Sequence, residues 1–343
     1  MIARLLPLLG LLSVASPAPA GEAPAGLQND VVFTAYSPWS SSAELVRRAL
    51  TPLTARRFAE QAARLGAAIR VQAIDLAQEK FALYVPEVAP PEGYALMVFV
   101  PPWSGATVPP GWQPVLDRHG MIFVSAANSG NDTSTIDRRM PLALLAAQNI
   151  LERYKVDRRR IYVGGFSGGS RVALRLAVAY PDLFRAVLLA AGSDPLGAAI
   201  PPGPAELFRQ FQDGTRLVYL TGENDGFHLE ADKRSRRSLP EFCVFDVETR
   251  NVPWVGHELA GPPALDPALD ALATPTPGDA ARLAACRASL DQTISAQLNQ
   301  VEALAAAGKR TDAQGLLDTI DAQYGGLAAP RSLDLAARID GRN

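Results

Sequence analysis

One segment constrains this chain more than any other: RIYVGGFSGGSRVALRLAVAYP, residues 160–181. A run of β-formers leads into four glycines set around Ser167, and an apolar-periodic helix follows until Pro181 stops it. Glycine is costly inside regular elements, so a cluster of it marks a backbone that must bend sharply. The stretch matches G-x-S-x-G through Gly165, Ser167 and Gly169. Alone the match is weak, and a plain glycine turn is the competing explanation. Between a buried strand and a helix it acquires a mechanism. The turn lifts the serine hydroxyl above the strand end, and the amide of Gly168 points from the helix N-terminus toward a developing oxyanion.

The rest of the chain supplies the sheet that such a turn needs. ALMVFV (Ala95–Val100) and MIFVSA (Met121–Ala126) are continuous apolar runs, as in strands buried on both faces. IRVQAI (Ile69–Ile74), KFALYV (Lys80–Val85), AVLLAAG (Ala186–Gly192), RLVYLTG (Arg216–Gly222) and FCVFDVET (Phe242–Thr249) read as further strands. A periodic helix lies between Arg138 and Tyr154. Strands alternating with helices predict an α/β domain with a mostly parallel sheet over residues 69–275.

Residues 21–68 read as a loose lead-in to about residue 45 and a helix, SAELVRRALTPLTARRFAEQAARLG (residues 42–66), spaced through Leu45, Leu53, Phe58 and Leu65. TPTPGD (Thr274–Asp279) is a linker signal. Residues 279–343 then form a C-terminal helical extension. Leu283, Leu290, Ile294, Val301 and Leu304 share one face of its first helix. Leu316, Leu317, Ile320 and Tyr324 mark the second, which Gly325 and Gly326 cap. This helical hairpin looks like one tetratricopeptide-type unit, which cannot bury its own face. It is expected to pack on the α/β domain or to drive self-association.

At 343 residues the chain is long enough for one large domain plus an appendage, and 48% hydrophobic residues supply a sizeable core. A formal net charge of −2 argues against nucleic acid or an anionic membrane surface as the main partner. The basic cluster Arg158 to Arg160 reads as a solvated turn. Arg4, the apolar run Leu5–Ala15 and Ala18-Pro19-Ala20 read as a signal peptide over residues 1–20, with a retained anchor as the alternative. The apolar run is too short for a bilayer span, so no membrane insertion is expected. The mature chain is then secreted or periplasmic. The two cysteines, Cys243 and Cys286, either pair in that oxidising compartment or stay as buried thiols.

A serine hydroxyl needs an adjacent base, and the chain holds three histidines. His119 precedes a strand, at the sheet edge away from Ser167, and reads as a helix-cap residue. His257 follows the last strand on the serine's edge and is the expected base. His228 is the second candidate and is otherwise expected in the substrate-binding wall. The acid should follow an earlier strand on the same edge. Asp225 in VYLTGENDGFH fits, with Glu223 as its rival and Asp246 less able to reach. The chain order Ser167, Asp225, His257 is that of an α/β-hydrolase triad.

VDRRRIYVGGFSGGSRVALRLAVAYPDLFRAV resembles the elbow segment of secreted α/β-hydrolase serine esterases. It is most similar to the polyhydroxybutyrate depolymerase and feruloyl or acetyl-xylan esterase group, over roughly residues 80–260. The resemblance implies hydrolysis of small-molecule or polymeric esters through an acyl-enzyme, with no cofactor and no metal. The chain departs from that group where the second oxyanion donor belongs: VPPWSGA stands at Val100–Ala106 in place of a His-Gly pair. Proline has no N–H, so the donor is expected to be the amide of Trp103 or Ser104. Trp103, Asn128 and Asn131 are expected to line the substrate, loop formation being the alternative for both asparagines. A serine peptidase of the same fold and a non-catalytic binding protein are the competing functions.

Overall fold

The computed structural model describes residues 24–67 and 69–341, so the export-signal reading of residues 1–20 lies outside the described residues. Eight strands form one sheet: β1 (Gly26–Val31), β2 (Phe81–Val85), β3 (Tyr94–Val100), β4 (Met121–Ala126), β5 (Val156–Phe166), β6 (Ala186–Ala190), β7 (Arg216–Gly222) and β8 (Val247–Val252). Their spatial order is β1-β2-β4-β3-β5-β6-β7-β8. β2 runs antiparallel to both β1 and β4, and every pairing from β4 through β8 is parallel.

The helices are α1 (Ser42–Ala49), α2 (Pro52–Leu65), α3 (Gln113–Arg118), α4 (Met140–Arg153), α5 (Gly168–Ala179), α6 (Ala205–Gly214), α7 (Gly226–Glu241), α8 (Pro262–Ala273), α9 (Ala280–Ala306), α10 (Arg310–Tyr324) and α11 (Arg331–Ile339). The central strands are buried along their whole length, so alternate residues face two different cores. Leu96, Val98, Val163, Val187 and Leu217 pack with α4, α5 and α6 on one face. Met97, Phe99, Tyr162, Leu188 and Val218 pack with α3 and α8 on the other. The fold class is the mostly parallel α/β architecture that the alternating pattern predicts.

Several element assignments change. Ile69–Ile74 is not a strand; its one sheet-like contact is a bridge between Gln72 and Ser41. Ile69 and Val71 are exposed, so their β-branched side chains have no face to bury. The lead-in instead holds β1, which pairs with β2, and Phe33 just beyond it packs against Phe81 with ring centroids 4.5 Å apart. The helix expected over residues 42–66 is two helices. Thr51 caps the second and Pro52 opens it, so the face expected through Leu45, Leu53, Phe58 and Leu65 breaks, leaving Phe58 and Leu65 exposed. The last strand begins at Val247 rather than Phe242. Phe242 and Cys243 instead close the turn after α7, with Cys243 at φ +59°.

The tail packs on the α/β domain. Leu290, Ile294, Leu298, Val301, Leu317 and Ile320 join the core that α4 and α5 share. Cys243 and Cys286 form a disulfide across a sequence separation of 43 residues, joining the end of α7 to α9. Asp321 on α10 accepts hydrogen bonds from the Thr51 hydroxyl and, at 3.2 Å, from the Leu53 amide at the start of α2. Arg57 reaches Asp318 and Arg56 reaches Asp340. The extension also holds a third helix, α11, beyond the expected hairpin, and it buries Ser332, Leu335, Ala336 and Ile339 along one face.

Candidate active site

Ser167 sits between β5 and α5 at φ +54°, ψ −122°, a backbone conformation strained for any residue but glycine. The neighbours make the strain tolerable. A Cβ on Gly165 would lie 2.3 Å from the carbonyl of Gly169, and one on Gly169 would lie 1.9 Å from the carbonyl oxygen of Val100. Strand, turn and helix therefore approach more closely than side chains allow. The Ser167 amide donates to the Ala190 carbonyl at 2.8 Å, pinning the turn to the end of β6.

The loops after β7 and β8 bring two partners to this edge. Asn224 donates its amide to the Val255 carbonyl and Glu223 to that of Val252, both at 2.9 Å, so the two loops are bound to each other. Asp225 is the N-cap of α7 and is buried. His257 Nδ1 lies 2.6 Å from Asp225 Oδ2, and its Nε2 lies 3.0 Å from Ser167 Oγ. The His257 ring stacks on Phe166 at 4.8 Å.

The second carboxylate oxygen is also engaged. His228, three residues into α7, places Nδ1 2.8 Å from Asp225 Oδ1. Burial pushes the Asp225 carboxyl up, and the hydrogen bonds from His228 and His257 reverse this, holding it below the ordinary carboxylate value. Glu223 is exposed and Asp246 pairs with Arg216, so neither approaches Ser167. His119 caps α3 and lies 2.9 Å from Asp266 on α8, away from this edge.

The remaining expected residues divide. Pro101 and Pro102 stand directly after β3, and neither the Trp103 nor the Ser104 amide has a hydrogen-bond acceptor among the described residues. The Gly168 amide begins α5 and is likewise unpaired, as first-turn amides are. Trp103 packs against Phe166 with ring centroids 6.3 Å apart. Asn131 lines a cavity of about 480 Å³ beside Ser167, and its side chain fills the space a Cβ on Gly168 would need. His228 lines the same cavity. Asn128 and Trp103 do not. Asn128 turns the loop at φ +51°, with its amide on the Ser104 carbonyl and its own carbonyl accepting from Arg138.

Sequence reasoning missed the charged wall of this cavity. Arg139, Arg171 and Arg175 line it with Asp194. Two of them were within reach: Arg171 and Arg175 follow Ser167 at intervals of four, one face of α5. Among the described residues, Asp225, His228 and His257 are the one group of three ligating side chains whose donor atoms lie within 4.8 Å of one another. An ion there must displace both hydrogen bonds to Asp225, which already engage each carboxylate oxygen.

The strand order, the strained serine between β5 and α5, and the carboxylate and imidazole on the loops after β7 and β8 define an α/β-hydrolase fold. No protein-family model and no curated protein matches the chain. Among solved structures it is similar to a ferulic acid esterase, at 16% identity over 52% of this chain and 85% of that one, with a TM-score of 0.39. It is similar to a thermostable esterase at 18% identity, over 56% of each chain, with a TM-score of 0.39. A third is the dipeptidyl peptidase 4 of Porphyromonas gingivalis, at 15% identity over 55% of this chain, with a TM-score of 0.40. The chain spans 31% of the length of that peptidase and 56% of that of the thermostable esterase.

Proposed function

We propose that this protein is a serine hydrolase that cleaves carboxylic esters through an acyl-enzyme. The observation that carries the reading is the continuous hydrogen-bonded line from Ser167 through His257 to Asp225, built on a strained turn. His257 Nε2 takes the proton as Ser167 Oγ attacks the ester carbonyl. The imidazolium that results sits against the Asp225 carboxylate, which also fixes the ring so that Nε2 faces the serine. The Gly168 amide, with that of Trp103 or Ser104, receives the oxyanion. His257 then returns the proton to the leaving alcohol, and water repeats the sequence on the acyl-enzyme.

Export to an oxidising compartment belongs to the same reading. The apolar stretch Leu5–Ala15 and the paired cysteines support it. Among the described residues no helix is long and apolar enough to cross a membrane.

Labelling of the purified chain by a fluorophosphonate, lost in Ser167→Ala, tests the nucleophile. A panel of nitrophenyl esters of graded acyl length, run beside peptide anilides, tests the reaction. Labelling with turnover of anilides alone would replace the esterase with a peptidase. No labelling and no turnover would leave a binding protein.

A further inference from the structure

The cavity beside Ser167 carries more positive charge than its walls neutralise. Arg139 is 4% exposed, and its guanidinium makes no ion pair among the described residues. Its Nε donates to the Ser129 carbonyl and its Nη2 to that of Pro101, each at 2.9 Å, while Nη1 has no acceptor. Asp132 acts on it only from beyond ion-pair distance. Arg171 and Arg175 share a single carboxylate, Asp194, through loose contacts of 3.4 and 3.8 Å. The 3.4 Å contact is made by the buried Nε of Arg171, which lies out of line for a hydrogen bond and has no other acceptor among the described residues. Arg175 otherwise donates to the Ala199 carbonyl at 2.7 Å.

A guanidinium held from water without a carboxylate is costly unless an anion completes it. Its planar fork fits a carboxylate bidentately. All three groups line the cavity that contains Ser167 and Gly168, at the positive end of α5. At 1.5 Å per helical residue, Arg171 and Arg175 lie roughly 6 and 12 Å along α5 from Ser167. The nearer distance is a few carbon atoms of substrate, and the further one is shortened by the Arg175 side chain, since helical side chains lean toward the helix N-terminus.

We infer that the substrate is an ester bearing an anionic group, a carboxylate a few carbons from the scissile carbonyl, held by Arg139, Arg171 and Arg175. The inference rests on the ester-hydrolase reading and adds the charge of the substrate to it.

The test compares matched esters that differ in charge alone. 4-Nitrophenyl hydrogen glutarate against methyl 4-nitrophenyl glutarate places the carboxylate on the acyl side. 4-Acetoxybenzoate against methyl 4-acetoxybenzoate places it on the leaving side. The expected result is a kcat/KM ratio favouring the anionic member of one pair by about tenfold, the worth of one charge-assisted contact. That ratio is expected to fall toward unity in Arg171→Gln and Arg175→Gln, which are half-exposed and avoid the buried Arg139. Ratios at or below unity in both pairs, with the neutral esters turned over, would overturn the inference and leave the ester reaction standing. So would a preference that survives both variants. If no ester is hydrolysed and no fluorophosphonate label is taken, the reaction reading falls instead. Calorimetric binding of glutarate to the Ser167→Ala protein then decides the anion site: binding lost in the added Arg171→Gln variant supports it, and no binding overturns it.

Discussion

His228 lies nearly flat on His257, with ring centroids 4.0 Å apart and planes 10° apart, and the two imidazoles hold opposite oxygens of Asp225. On the proposed reaction, His228 positions the base rather than acting on Ser167. Its hydrogen bond helps to hold the Asp225 carboxyl below its ordinary value. In His228→Ala the carboxylate loses one of its two histidine bonds, and the His257 ring loses the face it lies against. The expected result is about a tenfold loss of kcat/KM, from one hydrogen bond to a charged group. The loss should fall on kcat, with KM little changed. A loss carried by KM alone would make His228 a substrate contact instead.

Ser167→Ala and His257→Ala should each lower ester turnover by at least about 10⁴-fold, because the line of proton transfer acts as a unit. Fluorophosphonate labelling should disappear in the first. Far-ultraviolet circular dichroism should stay the same in both. His119→Ala removes only its contacts with Asp266 and Asp270 and should leave turnover within twofold, about the scatter of a mutation outside the site.

Gly169→Ala asks whether the elbow tolerates a methyl group. The added Cβ would meet the Val100 carbonyl oxygen at 1.9 Å, and backbone cannot swing aside as a side chain does. A loss of at least about 3 kcal/mol in urea unfolding is expected, the range of overpacked and strained sites. Gly105→Ala, with open space around it, is the matched control.

Replacing both cysteines by alanine should cost about 4 kcal/mol by the chain-entropy relation for a loop of this length. Unfolding of the unreduced wild type and the double variant in urea, with and without reductant, measures it. Reductant should lower the wild type toward the variant and leave the variant unmoved.

Burial pushes the Asp321 carboxyl above its ordinary value, against the hydrogen bonds from Thr51 and Leu53 that pull it down. The folded chain then holds this proton to higher pH than the unfolded one. The stabilisation linked to it is full below the unfolded value and is lost as pH rises through the folded value. Asp321→Asn should remove this acid-side contribution, seen in urea unfolding followed from about pH 3 to 7.

What the sequence revealed follows a physical division. The elbow was legible because strand, glycine turn and helix are adjacent in the chain and each has its own local signature. Asp225 and His257 were nominated by the rule that loops after parallel strands share one edge. β1 was not legible, since its alternation is weak and its partner is β2, some fifty residues later. Ile69–Ile74 misled because β-branched content was taken without a buried face. The arginine wall was legible only in part: the spacing of Arg171 and Arg175 along α5 is local, but their meeting with Arg139, just before α4, and with Asp194 in the β6–α6 loop is not. Asn128 and Asn131 are the same residue type three positions apart, and only the loop's path puts one in the cavity and the other outside it.

The bonds from α10 and α11 to α2 also set an order in time. The start of α2 finds its acceptor in Asp321, and Cys243 finds its partner in Cys286, both made late in synthesis. While the ribosome is still adding the tail, Leu53 and the Cys243 turn have nothing to close against. Such a chain completes its core on the α4 and α5 side only once its last helices have emerged, whereas the α3 and α8 side draws on none of them. The two faces of one sheet therefore reach completion at different moments in the chain's making.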